Sequence, residues 1–165
     1  MIPRPARFAT IVVLVLVVGG CGGDAKRATP EASAEKPNTF ALQEWAVLAP
    51  TNTLKAGTVE LTAVNTGHET HELVIVRAAE SGDLPTKADG SVDEDKIPES
   101  QKVGEISELQ AGRSATKAFE LVAGDYVALC NLVDQMGTDS MNGMGGMMNH
   151  VHYQLGMATR FSVVS

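Results

Sequence analysis

Apolar and polar residues alternate along several short stretches of the chain. In Thr58 to Val64, every second residue is apolar, and the turn-forming sequence Asn65-Thr66-Gly67 follows directly. A period of two is typical of a β-strand with one buried and one solvated face, and Asn and Gly favour the tight turn that ends it. The pattern therefore predicts a strand that leads into a turn.

The same alternation predicts further strands. In the second of them, His71 lies on the face that Leu73 and Ile75 occupy, so its imidazole points toward the predicted core. The segments between the strands carry no ten-residue helical pattern, which favours an all-β antiparallel sandwich or barrel. The further predicted strands are His71 to Arg77, Ala115 to Leu121, Asp125 to Cys130 (with Tyr126, Ala128 and Cys130 on one face) and Thr159 to Val164.

One acidic segment interrupts this series of strands. Ala79 to Lys102 contains seven carboxylate residues and two prolines, which indicates an excursion loop. Its carboxylate spacing does not match the twelve-residue calcium loop of an EF-hand. We therefore expect a solvated acidic loop.

The N-terminus has the zones of a secretion signal. Arg4 and Arg7 precede a largely apolar run from Phe8 to Val18, which is too short to span a bilayer. Small residues then lead to Cys21, an arrangement that resembles the lipobox of bacterial lipoproteins. This resemblance implies a signal peptide over residues 1–20 and lipidation, palmitate included, of Cys21 as the mature N-terminus. We expect a protein anchored by lipid to the extracytoplasmic face of the cell membrane, in the periplasm or its equivalent.

The segment after Cys21 differs in composition from the rest. Residues 22–38 contain two prolines and no large apolar side chain, so they cannot bury enough apolar area to order themselves. We predict a disordered linker over 21–38 and a single domain over 39–165. The whole chain carries 13 basic and 20 acidic residues, a net charge of −7. This acidity argues against a nucleic-acid partner.

Four residues could form a metal site: His71, Cys130, His152 and Met157. Once Cys21 carries lipid, Cys130 is an unpaired thiol in an oxidising compartment, where it could be inert, form an intermolecular disulfide or bind a metal. Two imidazoles with one thiolate and a weak thioether are the ligand set of an electron-transfer copper site. Each residue by itself is more often an ordinary core residue.

Three stretches resemble the cupredoxin family, the small blue copper proteins. They are the run from Val64 to Leu73, the run from Gly124 to Asn131, and the tail from His152 to Met157. The resemblance covers Phe40 to Ser165 and implies a Greek-key β-sandwich. It also implies one type 1 copper site, with His71, Cys130, His152 and Met157 as ligands, that carries single electrons between Cu(I) and Cu(II).

The segment between the Cys and the second His departs from the family pattern. Twenty-one residues, Asn131 to Val151, separate Cys130 from His152, and His150 competes with His152 as the second imidazole. The resemblance favours His152, because its spacing to Met157 matches the tail of the family. The insertion contains five methionines, and thioethers select Cu(I). They either cover the domain as flexible apolar side chains or form a second Cu(I) site: Met136, Met141, Met144, Met147 and Met148.

Three functions remain open at this point. The first is a membrane-tethered, monomeric carrier of single electrons that serves a redox partner protein and is not an enzyme. The second is a copper-handling protein that exchanges Cu(I) with a donor or acceptor through the same ligands and the Met-rich segment 136–148. The third is a metal-free, adhesion-like sandwich.

Overall fold

A computed structural model describes residues 38–78, 83–135 and 149–165. These residues form short strands and two single-turn 3-10 helices, Glu94–Lys96 and Glu99–Gln101. The strands are β1 (Thr39–Gln43), β2 (Ala46–Leu48), β3 (Thr53–Lys55), β4 (Gly57–Asn65), β5 (His71–Arg77), β6 (Lys102–Leu109), β7 (Ser114–Leu121), β8 (Gly124–Leu129), β9 (Val133–Gln135), β10 (Asn149–Val151) and β11 (Ala158–Val164). Within these ranges, no helix has the length and apolar character needed to cross a membrane.

The strands form two packed sheets and one small ribbon. The first sheet has the order β2-β1-β4-β7, and the second has the order β3-β11-β8-β5-β6. Strands β9 and β10 pair with each other. Most neighbours are antiparallel, as predicted, but β1 pairs with β4 and β3 pairs with β11 in parallel. The all-β sandwich expected from the alternating pattern is therefore confirmed, with mixed rather than purely antiparallel sheets.

The main core lies between the two sheets. The inward-facing side chains of β4 and β7 meet those of β5, β8 and β11, as the period of two predicts. Each fully buried aliphatic or aromatic side chain contributes about 1.5–3 kcal/mol to folding. The largest fully buried side chains of this core are Phe40, Leu42, Leu61, Leu73, Ile75, Leu121, Tyr126 and Met157.

A second apolar cluster covers the outer face of β5 and β8. Val74 and Val127 point away from the main core, yet they are buried because Val92 and Ile97 pack over them. Both covering residues belong to the segment predicted as a solvated loop. This expectation needs correction, because the described part of the loop, from residue 83 onward, keeps its carboxylates near the surface while it seals one face of the sheet.

Five strands begin and end within one residue of the predicted bounds, and β5 matches them at both ends. The prediction missed β6, whose apolar residues Val103, Ile106 and Leu109 do not alternate. Its register with β5 shifts twice, so that side chains of the same face are no longer two residues apart. Strands β1, β2 and β3 were missed because three to five residues are too few for a pattern.

Candidate metal centre

His71 is placed by a turn that Asn65 holds. The buried side-chain amide of Asn65 donates to the carbonyl oxygens of Glu69 and Leu109, both at 2.7 Å, and its Oδ1 accepts the Gly67 N–H at 2.9 Å. These three bonds satisfy a polar side chain that has no access to water. The turn delivers His71 as the first residue of β5 with its ring inside the sandwich.

Cys130 follows the last residue of β8 and is fully buried. Its Sγ accepts the backbone N–H of Glu72 at 3.4 Å, and its own N–H donates to the Met157 carbonyl at 3.0 Å. No disulfide involves it among the described residues. The thiol thus lies between the first residues of β5 and the turn that precedes β11.

A tight turn brings His152 and Met157 to the same place. The Met157 N–H donates to the His152 carbonyl at 3.0 Å, and the His152 N–H donates to the Leu132 carbonyl at 3.0 Å. Gly156 adopts a φ of +113°, a conformation that side-chain-bearing residues rarely adopt. Both His152 and Met157 are completely buried, and Met157 belongs to the core cluster that contains Cys130.

The three polar side chains converge. Nδ1 of His71 lies 3.2 Å from Nδ1 of His152, which in turn lies 3.3 Å from Sγ of Cys130. One ligand atom from each residue lies within 4.8 Å of the others, and all three side chains are buried. Two imidazole nitrogens and one sulfur therefore face a common point.

Carboxylates face the opposite nitrogen of each ring. Nε2 of His71 lies 3.2 Å from Oε1 of Glu44, and Nε2 of His152 lies 3.0 Å from Oδ2 of Asp134 and 3.6 Å from Oε2 of Glu69. A carboxylate accepts a hydrogen bond, so in the neutral form of each ring the proton lies on Nε2. Both Nδ1 lone pairs then point into the cluster, where the thiol carries the single remaining proton.

Burial sets the protonation of the cluster. It lowers the pKa of His71, with a further lowering from the nearby His152, and keeps its ring neutral. Burial, and then the carboxylates of Glu72 and Asp134, raises the pKa of Cys130 to about 11. Burial also raises the pKa of Glu44, but hydrogen bonds from the backbone N–H groups of Glu69 and His68 outweigh this effect and hold it at about 2. His71 and Cys130 are thus uncharged near neutral pH, and the Glu44 carboxylate beside His71 is ionised.

These donors fit a copper ion. Neutral imidazole and thiolate suit copper, and a cation at the common point would satisfy two nitrogen lone pairs that otherwise face each other at 3.2 Å. It would also replace the thiol proton, whose high pKa lowers the metal affinity, and lowers it more as the pH falls. The residues that could hold the ion are His71, Cys130 and His152, with Met157 as a weak fourth ligand.

The other sequence candidates lie elsewhere. The ring of His150 packs edge-on against Trp45, with 5.3 Å between ring centroids, and His68 is exposed to solvent. The five methionines of 136–148 and the proposed lipidation site Cys21 lie outside the described residues. Sequence reasoning missed Glu44 and Asp134, which precede their histidines by 27 and 18 residues and share no motif with them.

Two further side chains, Asn131 and Tyr126, hold the backbone on either side of Cys130 by hydrogen bonds. Oδ1 of Asn131 accepts the Val92 N–H at 2.6 Å, and its amide donates to Glu94 at 2.7 Å, which ties the excursion loop to the residue after Cys130. The hydroxyl of Tyr126 donates to the Val122 carbonyl at 2.7 Å and accepts the N–H of the same residue at 3.1 Å. This is the bonding of a corner tyrosine.

Comparisons with known proteins establish the fold. No protein-family model matches the sequence, and no curated protein matches it. Among solved structures, reduced auracyanin from Roseiflexus castenholzii matches with a TM-score of 0.52 and 23% identity, over 77% of this chain and 95% of the other. Auracyanin B matches at 0.49 and 18%, over 79% and 92%. Auracyanin A from Chloroflexus aurantiacus, described as a "blue" copper protein, matches at 0.48 and 16%, over 76% and 96%.

The first of these matches carries the conclusion about architecture. Its TM-score and its coverage of nearly the whole auracyanin chain agree with the two packed sheets described above. At 23% identity the likeness concerns the path of the backbone alone. The described domain has the β-sandwich fold of the cupredoxins, as the sequence predicted.

Proposed function

We propose that this protein is a type 1 copper protein that carries single electrons between redox partners. The observation that carries the proposal is the convergence of His71, Cys130 and His152, with ligand atoms inside 4.8 Å and no solvent exposure. Copper bound there would supply one-electron exchange between Cu(I) and Cu(II). In this proposal the copper exchanges electrons with partner proteins and turns over no substrate, so the protein is a carrier and not an enzyme.

Each residue has a defined task in this proposal. His71 and His152 present Nδ1 lone pairs, because their Nε2 atoms donate to carboxylates. Cys130 supplies the thiolate, whose negative charge is stabilised by the Glu72 N–H. Met157 supplies a soft, weak donor from the core. All four side chains are fixed by packing, so the site changes little in shape between oxidation states.

A copper titration with visible spectroscopy tests the proposal. We expect the soluble domain, residues 39–165, to bind one Cu(II) with strong thiolate-to-copper absorption that disappears reversibly on reduction. Cys130→Ser should lose this absorption, because a hydroxyl does not replace the thiolate as donor. His68→Ala and His150→Ala are the matched controls and should keep it. A domain that binds no copper, or a Cys130→Ser variant with unchanged absorption, would contradict the proposal.

The proposal extends to the location of the protein. Residues 1–20 act as a signal peptide, Cys21 carries the lipid, residues 21–38 form a tether, and residues 39–165 form one monomeric domain outside the cytoplasm. The lipobox-like end of the apolar leader supports this arrangement. In cell fractionation, the full chain should be found in the membrane fraction, whereas Cys21→Ala should be soluble or unprocessed. Unchanged processing and membrane attachment of Cys21→Ala would contradict it.

Copper handling is the second candidate function. The methionine content of 136–148 favours it, since thioethers select Cu(I). A Cu(I) titration separates the two functions: a handling protein binds more than one Cu(I), and replacement of the five loop methionines by Leu returns the stoichiometry to one. Unchanged stoichiometry in that variant, together with a stable Cu(II) absorption, would contradict copper handling and leave electron transfer as the remaining function of the two.

A further inference from the structure

Glu44 connects the first hairpin to the histidine turn. It lies between β1 and β2, in the sheet opposite to β5. Its Oε1 accepts three N–H groups: the backbone of His68 at 2.6 Å, the backbone of Glu69 at 2.7 Å, and Nε2 of His71 at 3.2 Å. The side chain is 23% exposed, and its bonds to Glu69 and His71 are partly buried, whereas its bond to the His68 backbone lies at the surface. One carboxylate thus fixes both the backbone before His71 and the His71 ring.

The absence of a side chain at Gly67 makes room for this carboxylate. A Cβ at position 67 would lie 2.7 Å from both Cδ and Oε2 of Glu44, closer than real Cβ contacts are found. The carboxylate would have to shift, and the shift would disturb its three hydrogen bonds. Gly67 and Glu44 therefore belong to one structural feature: the glycine in the turn leaves the space that the Glu44 carboxylate from the other sheet occupies.

We propose that Glu44 is a positioning residue for His71, which holds the imidazole in its Nε2–H tautomer and directs Nδ1 to the metal. The proposal rests on the proposed copper site. Nothing else in the described structure accepts the His71 Nε2–H. Without the carboxylate, the ring is free to place its proton on Nδ1, which lies 3.2 Å from an acceptor, Nδ1 of His152. That tautomer cannot bind a metal through Nδ1.

The carboxylate also changes the electronic character of the ligand. A hydrogen bond from the distal N–H to an anion makes the other imidazole nitrogen more basic. A more basic nitrogen and a nearby negative charge favour Cu(II) over Cu(I), because the ion with the higher charge gains more. Loss of Glu44 should therefore weaken Cu(II) binding more than Cu(I) binding and raise the reduction potential.

The first test needs no metal. Nitrogen-15 NMR of the imidazole rings in the metal-free domain reports the tautomer of His71. We expect Nε2–H in the native protein, and a substantial Nδ1–H population in Glu44→Ala and in Gly67→Ala. Glu44→Gln keeps an acceptor oxygen without the charge, so its Nδ1–H population should lie between those of the native protein and Glu44→Ala. Glu60→Gln, which removes the same charge from an exposed position of β4, should match the native protein.

The second test measures the Cu(I) affinity, the Cu(II) affinity and the reduction potential in the same set of variants. We expect Cu(II) affinity to fall about tenfold or more in Glu44→Ala, with a smaller loss for Cu(I). Each tenfold difference between the two losses corresponds to about 59 mV in the potential of a one-electron couple. Glu60→Gln should leave both affinities unchanged.

The outcomes separate the two proposals. A native domain that binds no copper would overturn the copper function, while the tautomer measurement would still decide on Glu44. Native tautomer and native Cu(II) affinity in Glu44→Ala and Gly67→Ala would overturn the positioning role, even if both variants were less stable. If Glu44→Ala does not fold, Glu44→Gln and Gly67→Ala carry the same test.

Discussion

At the scale of single residues, the candidate site combines buried nitrogen and sulfur atoms with carboxylates at its edge. The carboxylates of Glu44, Glu69 and Asp134 lie near the Nε2 atoms of the two imidazoles. Glu72 follows His71 directly, and its Oε1 accepts the N–H of Asn131 at 3.0 Å. These charges attract a cation into a buried position that would otherwise exclude it. They also disfavour each other as long as no cation is bound.

Glu72 is expected to make the stability of the metal-free domain depend on pH. Burial, and then repulsion from Glu105 and Glu94, raises its pKa to about 7 from an ordinary value of 4.5. The folded state therefore binds a proton more tightly than the unfolded state. The stability contributed by this proton is fully present below pH 4.5 and is lost as the pH rises through 7.

Glu72→Gln should remove this dependence. The amide oxygen can still accept the Asn131 N–H, but the side chain no longer ionises. We expect the stability difference between pH 4 and pH 8 to shrink by about 3 kcal/mol relative to the native domain. Urea denaturation at the two pH values measures it, with Glu60→Gln as the control. An unchanged pH profile in Glu72→Gln would contradict the proposed origin.

Met157 allows packing and ligation to be separated. Met157→Leu conserves the volume of a fully buried side chain, so the loss of stability should stay below about 1.5 kcal/mol. Without the thioether donor, the site stabilises Cu(II) less than the native site does, so the reduction potential should rise. Voltammetry of the copper-loaded variant checks this, with thermal unfolding as the measure of packing. An unchanged potential would show that Met157 serves the core alone.

At the scale of elements, the excursion loop and the site are coupled through one side chain. Asn131 follows Cys130 and bonds to the backbone of Val92 in both directions, at 2.6 Å and 3.1 Å. Val92 is itself buried against the outer face of β5 and β8. The loop thus closes the second apolar cluster and fixes the backbone next to the cysteine with the same contact.

Asn131→Ala is expected to destabilise this connection. It leaves the N–H and the carbonyl of Val92 without their partner, at a cost of about 1–3 kcal/mol for each group that stays buried. Hydrogen exchange of the Val92 amide should become faster, and the midpoint of urea denaturation should fall. Asn52→Ala, at an exposed position, is the control. Native exchange at Val92 would contradict the role of Asn131.

At the scale of the whole molecule, the proposed metal binding would be linked to folding. The candidate ligands come from the first residue of β5, the end of β8 and the turn before β11, so they meet only in the folded chain. A ligand that binds the folded state alone stabilises it by RT ln(1 + [L]/Kd), about 2.7 kcal/mol at a free concentration of 100 Kd.

Copper should therefore raise the melting temperature, and more strongly at higher pH. Cys130, with a pKa of about 11, must lose its proton to bind, so affinity should rise about tenfold per pH unit in the range where no other ligand titrates. Thermal unfolding with Cu(I) at pH 7 and pH 8 measures both effects. Cys130→Ser should show neither, and a pH-independent shift in the native domain would contradict thiolate binding.

Local pattern alone determined a large part of this protein. The alternation of apolar residues determined β4, β5, β7, β8 and β11, because a strand between a core and solvent has a period of two. The donor set of two imidazoles, a thiol and a thioether, together with the resemblance of the surrounding stretches to the cupredoxin family, singled out the four residues that the fold brings into one region. These features depend on residues that are neighbours in sequence.

The tertiary structure decided everything that depends on pairing between distant strands. It placed Glu44 of the first hairpin against His71, Asp134 against His152, and Val92 over the outer face of β5. It also brought β1 beside β4 and β3 beside β11 in parallel. Such contacts depend on register and packing across the sandwich, which no short stretch of sequence encodes. The candidate ligand residues could thus be singled out in the sequence, whereas the carboxylates beside them required the fold.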